Sequence, residues 1–304
     1  MKKNGRGVPV FMLSLIGVGG LSILSSLPFS LLTRVGRFLG GLYYHLDGRR
    51  KRIALENLRL AFGNEKTEGE LQSILKTAYC RTGSSLLEFA GLPKLTRKQL
   101  SGRVRFEGLE HLEAARKSGR GVILLAAHFG NWELTAQSLA LAGFPGYAVG
   151  RRANVLLLHN YIVHCRESHG NRILVRDQAV RKIFTILREG KILGILCDQR
   201  GSTSRGLMIN FFGHPAPTDP HIARIILKAK PVVLMVFGIR NPDESHRVIV
   251  SKPLTFSLRG DPGKDALHIT RRYMQALEEM IRKHPEQWLW MHRRWMRRSD
   301  GNGR

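Results

Sequence analysis

GVILLAAHFGNWE, residues 121–133, is the stretch from which the fold of this chain can be read. Gly121–Ala127 is an aliphatic run with no polar interruption, the pattern of a strand buried on both faces, and Asn131–Gly143 has the length of a helix. Outward from this strand–turn–helix unit the texture repeats. Val104–Gly108, GYAVG (146–150), NRILV (171–175), Ile192–Cys197 and Val232–Gly238 read as strands. Leu109–Gly119, Leu156–Ser168, Val180–Glu189 and His221–Lys230 read as the helices between them. His246–Val250 is expected as an edge strand, and Leu267–His284 as a long amphipathic helix. Strands alternating with helices predict an α/β domain whose mixed sheet is covered by helices. Nearer the N-terminus, Arg52–Phe62 has helical apolar spacing, and Thr67-x-x-Glu70 is a capping box opening a helix that runs to about Gly91.

Composition narrows the function classes. A chain of 304 residues that is 43% hydrophobic is no disordered tail. Its three cysteines, Cys80, Cys165 and Cys197, fit neither a disulfide scaffold nor close-spaced zinc ligation, and its 12 histidines are scattered, so no metal is expected. With 49 Lys and Arg against 23 Asp and Glu, the net charge of +26 should draw anions: nucleic acid, anionic lipid or an acidic protein. A basic nucleic-acid-binding protein is the rival from a different class. It lacks a recognition helix, an RNP-like motif or finger spacing, and gives no reason for the 27 uncharged residues between Arg6 and Arg34. The part of that segment from Val10 to Leu27 approaches the ~20 residues a helix needs to cross a bilayer. No A-x-A-like cleavage site follows it, and basic clusters flank it on both sides. Leu31–Leu46, with arginines and aromatics interspersed, reads as a helix lying among headgroups. Residues 1–47 are therefore expected to form a membrane anchor and interfacial helix, and residues 48–304 the α/β domain.

The chemistry is expected where the strand Gly121–Ala127 ends. Carboxyl ends of strands are where α/β proteins build their sites, and His128 stands there before a glycine and a helix start, placed to act as a base. Glu133 lies five residues on. On one continuous helix the two would be ~140° apart, so they can meet only if His128 sits in the turn and Gly130 supplies the bend. Glu133 would then orient the imidazole. Spacing alone leaves open that His128 merely caps and that Glu133 is a first-turn charge.

AAHFGNWE resembles the H-x4-D/E motif of the lysophospholipid and glycerophosphate acyltransferase superfamily, and in its longer form the bacterial lipid A biosynthesis acyltransferases that transfer lauroyl or myristoyl chains. RKRIALENLRLAF (50–62), NRILV, CDQRGSTSRGLMINFFGHPAPT (197–218) and HPEQWLWMHRRW (284–295) agree with that family in order, from the anchor to Trp295. The resemblance implies a single glycerophosphate-acyltransferase-like domain and no cofactor, with an acyl carrier protein or acyl-CoA thioester as co-substrate. His128 would deprotonate a hydroxyl of a lipid A precursor, with Glu133 orienting it. The backbone N–H groups of Gly130 and Asn131, or Arg151, would hold the oxyanion or a phosphate, and Asp198 and Gln199 would position the acceptor, or else cap a helix or turn. Phe211 and Phe212 would line an acyl groove, or pack as an aromatic pair in the core. Trp288, Trp290 and Trp295 would either sit at the bilayer interface, with Arg293 and Arg294 on phosphates, or dock the C-terminal segment onto the core. Acyl carrier protein and anionic lipid are the implied partners, and the cytoplasmic face of the bacterial inner membrane the implied location. The Gly/Ser/Arg-rich loop after Gln199 departs from the D-Q-D-Y-like run of the better-known enzymes, which leaves acyl chain and acceptor open, including a lysophospholipid or another glycolipid.

Overall fold

The computed structural model describes residues 19–20, 23–175, 179–202, 204 and 206–295. Most of the expected anchor, Val10–Leu27, lies outside the described residues; among those described, no helix is long and apolar enough to cross a membrane.

From Phe29 on, three helices come first: α1 (Phe29–Leu46), α2 (Arg49–Phe62) and α3 (Glu68–Gly91). Thr67 caps α3 in the expected box, its hydroxyl accepting from the Glu70 amide while the Glu70 carboxylate accepts from the Thr67 amide. α1 lies tightly along α3 because Gly36 and Gly40 face Gly83. A side chain at any of the three would run into the opposing backbone.

The rest alternates: α4 (Arg97–Ser101), β1 (Val104–Glu107), α5 (Leu109–Lys117), β2 (Val122–Ala126), α6 (Trp132–Leu141), β3 (Tyr147–Gly150) and α7 (Leu156–Glu167) come first. β4 (Arg172–Val175), α8 (Ala179–Arg188), β5 (Ile192–Leu196), β6 (Leu207–Phe211), β7 (His214–Thr218), α9 (His221–Ala229), β8 (Val232–Arg240), β9 (His246–Val250) and α10 (Pro262–Lys283) follow. Seven strands form one mixed sheet in the order β1-β9-β8-β2-β5-β3-β4. β8, β2, β5, β3 and β4 run parallel, and β9 is antiparallel to β8. The expected α/β sheet is therefore present, with one correction: β9 is an inner strand, because β1 pairs with it in parallel and takes the edge.

The strand at residues 122–126 alternates between two cores. Ile123 and Leu125 pack with Leu193, Val233 and Met235 beneath α9 and α10. Val122 and Leu124 pack with Leu234, Val236, Leu134 and Leu139 on the side of α5 and α6. Burial on both faces is what the unbroken aliphatic run encodes. A separate hairpin, β6–β7, turns at Phe212 and Gly213, both at positive φ as a type I′ turn requires.

Candidate active site

β2 and β5 are neighbours in parallel register, Ala126 beside Leu196. Two residues past each strand end stand His128 and Asp198, on the same rim. The Asp198 carboxylate accepts from the His128 ring Nδ1 at 2.9 Å, from the His128 backbone N–H at 3.0 Å, and from the indole of Trp288 at 2.9 Å. Asp198 is wholly buried, and the His128 side chain is 15% exposed. With Nδ1 committed to Asp198, the nitrogen available to an incoming group is Nε2. Burial by itself lowers the His128 pKa, but the hydrogen bond and charge of Asp198, aided by the charge of Glu133, outweigh it and raise the value above normal. Burial acts the other way on Asp198, and the His128 contact overcomes it, holding the carboxylate below its ordinary range.

The turn that carries His128 is pinned by the C-terminal segment. The Gly130 amide donates to the Gln287 carbonyl at 2.7 Å, and the Leu289 amide to the His128 carbonyl at 3.0 Å. Phe129 and Trp288 bridge as a short antiparallel pair. Gly130 adopts φ +56°, and a β-carbon there would collide with the Gly238 carbonyl oxygen, so this bend needs glycine. Asn131 caps α6 by accepting from the Leu134 amide at 2.9 Å.

Several expectations for the site are corrected. Glu133 does not hydrogen-bond His128. Its carboxylate is clamped by Arg166 of α7, with the guanidinium Nε at 3.2 and 3.1 Å from the two oxygens, and also accepts from the Trp132 indole at 3.2 Å. The orienting contact comes from Asp198 instead. Asp198, expected to position an acceptor, is too deeply buried to touch one; Gln199 beside it is exposed. Of the two backbone N–H groups expected to hold an oxyanion, that of Gly130 is spent on the Gln287 carbonyl and is not free for one. Arg151 is exposed just past β3, on the same rim as His128, with Arg152 beside it.

Phe211 and Phe212 line no open groove. They are buried in an aromatic cluster with Phe62, Trp288, Trp290 and Trp295, Phe211 stacking on Trp295 at 5.6 Å. The three tryptophans are buried too, and dock the C-terminus onto the core rather than facing a bilayer. Arg294 is fully buried, donating to the Pro217 carbonyl and the Thr218 hydroxyl at 2.7 and 2.6 Å, while Arg293 is exposed. Desolvation lowers the Arg294 pKa to about 10. Arg166 and the orienting role of Asp198 were missed by the sequence reading. Only strand order and helix packing bring them to the turn.

Comparison with known proteins agrees with the motifs. The family described as bacterial lipid A biosynthesis acyltransferase matches residues 2–297. The chain is 23% identical over 295 residues to the lipid A biosynthesis lauroyltransferase of Escherichia coli K12, covering 96% of this chain and 94% of that one. It is 25% identical over 263 residues to the myristoyltransferase of the same organism, covering 86% and 78%. It is 23% identical over 288 residues to a lipid A biosynthesis acyltransferase of Haemophilus influenzae, covering 94% and 88%. A histidine held by a buried carboxylate at a strand-end rim, within a match that spans nearly the whole chain, leads to one conclusion: this protein is an acyltransferase of the bacterial lipid A biosynthesis acyltransferase family.

Proposed function

We propose that the protein transfers a fatty acyl chain from a carrier-protein or CoA thioester to a hydroxyl of a lipid A precursor, with His128 as general base and Asp198 as the group that orients it. The observation that carries the mechanism is the contact between Asp198 and His128 Nδ1, which leaves Nε2 to take the acceptor's proton. The hydroxyl oxygen attacks the thioester carbonyl as that proton moves to Nε2. Collapse of the tetrahedral intermediate breaks the C–S bond, and the imidazolium returns the proton to the departing thiolate. Asp198 stays ionised and stabilises the imidazolium between the two steps. Arg151 and Arg152, exposed on the rim, suit a phosphorylated acceptor.

The same reading places the protein on the cytoplasmic face of a bacterial inner membrane. α1 supports it: Leu31, Phe38, Leu39, Leu42, Tyr43 and Leu46 are all exposed, Phe38 at 70% and Leu46 at 73%. At ~100° per residue these six fall on one arc of the helix, beside a flank that bears Arg34, Arg37 and His45. An apolar face with a basic border is the pattern of a helix lying in the headgroup region, and the uncharged segment at 7–33 would anchor it further.

The test is turnover by purified protein. Acyl-carrier and acyl-CoA thioesters are each offered with a lipid A precursor, a lysophospholipid and another glycolipid, and products are identified by mass spectrometry. Acylated lipid A precursor is expected, and its loss in His128→Ala. Acylation of the lysophospholipid alone would overturn the acceptor, and full turnover by folded His128→Ala the mechanism.

A further inference from the structure

Behind the His128 turn lies a buried ion pair whose carboxylate has more partners than the pair itself requires. Glu88 of α3 is wholly buried, and Arg240, at the end of β8, is 3% exposed. The guanidinium donates to both Glu88 oxygens, at 2.8 and 2.5 Å. The same carboxylate accepts from the side-chain amide of Asn131 at 2.6 Å and from the Thr33 hydroxyl of α1 at 2.6 Å. Asn131 thereby has both ends fixed, its oxygen capping α6 and its nitrogen on Glu88. A second route leaves from Arg240: its backbone exchanges hydrogen bonds with the Gln287 side chain at 2.8 and 3.1 Å, and the Gln287 carbonyl accepts from Gly130. Gly130 and Asn131, consecutive residues of the turn, are thus tied to one buried charge pair. A pair of apolar side chains would fill that volume at lower desolvation cost, but would leave the Asn131 amide without an acceptor and its orientation unset.

We infer that Glu88 is a positioning residue for acyl transfer: through Asn131 it sets the turn that aims His128, and through Thr33 it joins that turn to α1. The inference rests on His128 being the base. It gives the buried pair a role that removing one partner and swapping two will separate from simple stability. Glu88→Gln leaves Arg240 with only the half-buried Glu244 carboxylate at 3.0 Å as counter-charge, and replaces one of the oxygens that accept from Asn131 and Arg240 with a donor. Asn131→Asp keeps a capping oxygen but sets a carboxylate against Glu88. The double variant Glu88→Gln with Asn131→Asp swaps carboxylate and amide, so that the hydrogen bond between positions 88 and 131 and one negative charge in the buried cluster return.

The full-length protein in detergent is assayed with acyl-carrier thioester and lipid A precursor, with thermal unfolding measured alongside. Each single variant should lower kcat about 10- to 100-fold, the scale of an ångström-sized misplacement, with KM for both substrates nearly unchanged. The acid limb of the kcat profile should move to lower pH, because a turn out of register weakens the support that Asp198 gives the imidazolium. The swap should recover most of kcat and return the acid limb. Where one single variant fails to fold, the swap and the other single variant decide. Parental kcat in a folded single variant, or a folded swap that recovers stability without kcat, overturns the inference. The parallel His128→Ala sample separates the two readings: inactive His128→Ala with fully active Glu88→Gln removes only the role of Glu88, whereas active His128→Ala removes the base and its positioning together.

Discussion

The Asp198 carboxylate holds His128 at two points, the ring Nδ1 at 2.9 Å and the backbone N–H at 3.0 Å, across 70 residues of sequence. One bond fixes the tautomer and the other fixes where the residue begins, so ring orientation and turn position share a single anchor. Trp288 donates to one of the same oxygens from the C-terminal segment, which completes the packing of a carboxylate with no exposed surface.

Asp198→Asn should therefore be nearly as damaging as His128→Ala. An amide can present its NH2 to Nδ1 and favour the wrong tautomer, and losses of about 10²–10⁴ in kcat are expected for either change. The double variant should be little worse than His128→Ala alone, since groups acting as a unit are not additive. Steady-state kinetics on folded protein checks this; losses that multiply would show the two acting independently.

The pH profile follows from the raised His128 pKa. The base must be neutral to accept a proton, so kcat should rise with pH through a midpoint above the ordinary histidine value of ~6.5. Asp198→Asn removes the largest support for the cation while burial remains, so the residual activity should show its midpoint at lower pH. An unchanged or raised midpoint would contradict the assignment.

Glu133 and Arg166 should behave as a pair of their own. Glu133→Gln and Arg166→Met are each expected to cost about 1–3 kcal/mol in stability, as partly buried partners left uncompensated. The double variant should cost less than the sum, by an interaction energy of roughly 0.5–3 kcal/mol. Denaturant unfolding of the four proteins measures it. Glu133→Gln should also reduce activity less than Asp198→Asn does, because it leaves the Nδ1 contact in place.

The apolar face of α1 gives a prediction away from the chemistry. Phe38→Glu with Leu42→Glu should weaken sedimentation with anionic vesicles by at least about tenfold, since burying each large apolar side chain contributes roughly 1.5–3 kcal/mol. Both side chains point away from α3, so thermal unfolding in detergent should barely change. Equal vesicle binding by the charged variant would remove α1 from the membrane contact.

Period and punctuation made much of this protein legible before any coordinates. The aliphatic run at 121–127 reads as a strand buried on both faces, the box from Thr67 to Glu70 as the start of a helix, and a strand ending in His-Phe-Gly-Asn as the rim on which a site is expected. These are local properties, written in residues that are neighbours in the chain. Which carboxylate meets His128 is not local. Glu133 is five residues away, yet the first turn of α6 directs it to Arg166, while Asp198 arrives because β5 lies beside β2. No pattern in either strand specifies that adjacency, since both are equally apolar and would pair with any neighbour. The same holds for Trp288, Trp290, Trp295 and Arg294. An aromatic and basic ending is equally suited to a bilayer surface or a core, and only the aromatic pocket formed by Phe62, Phe211 and Phe212 draws it inward. Glu88 and Arg240 were silent for that reason too: a buried ion pair spanning 152 residues exists only once the layers that bury it have assembled.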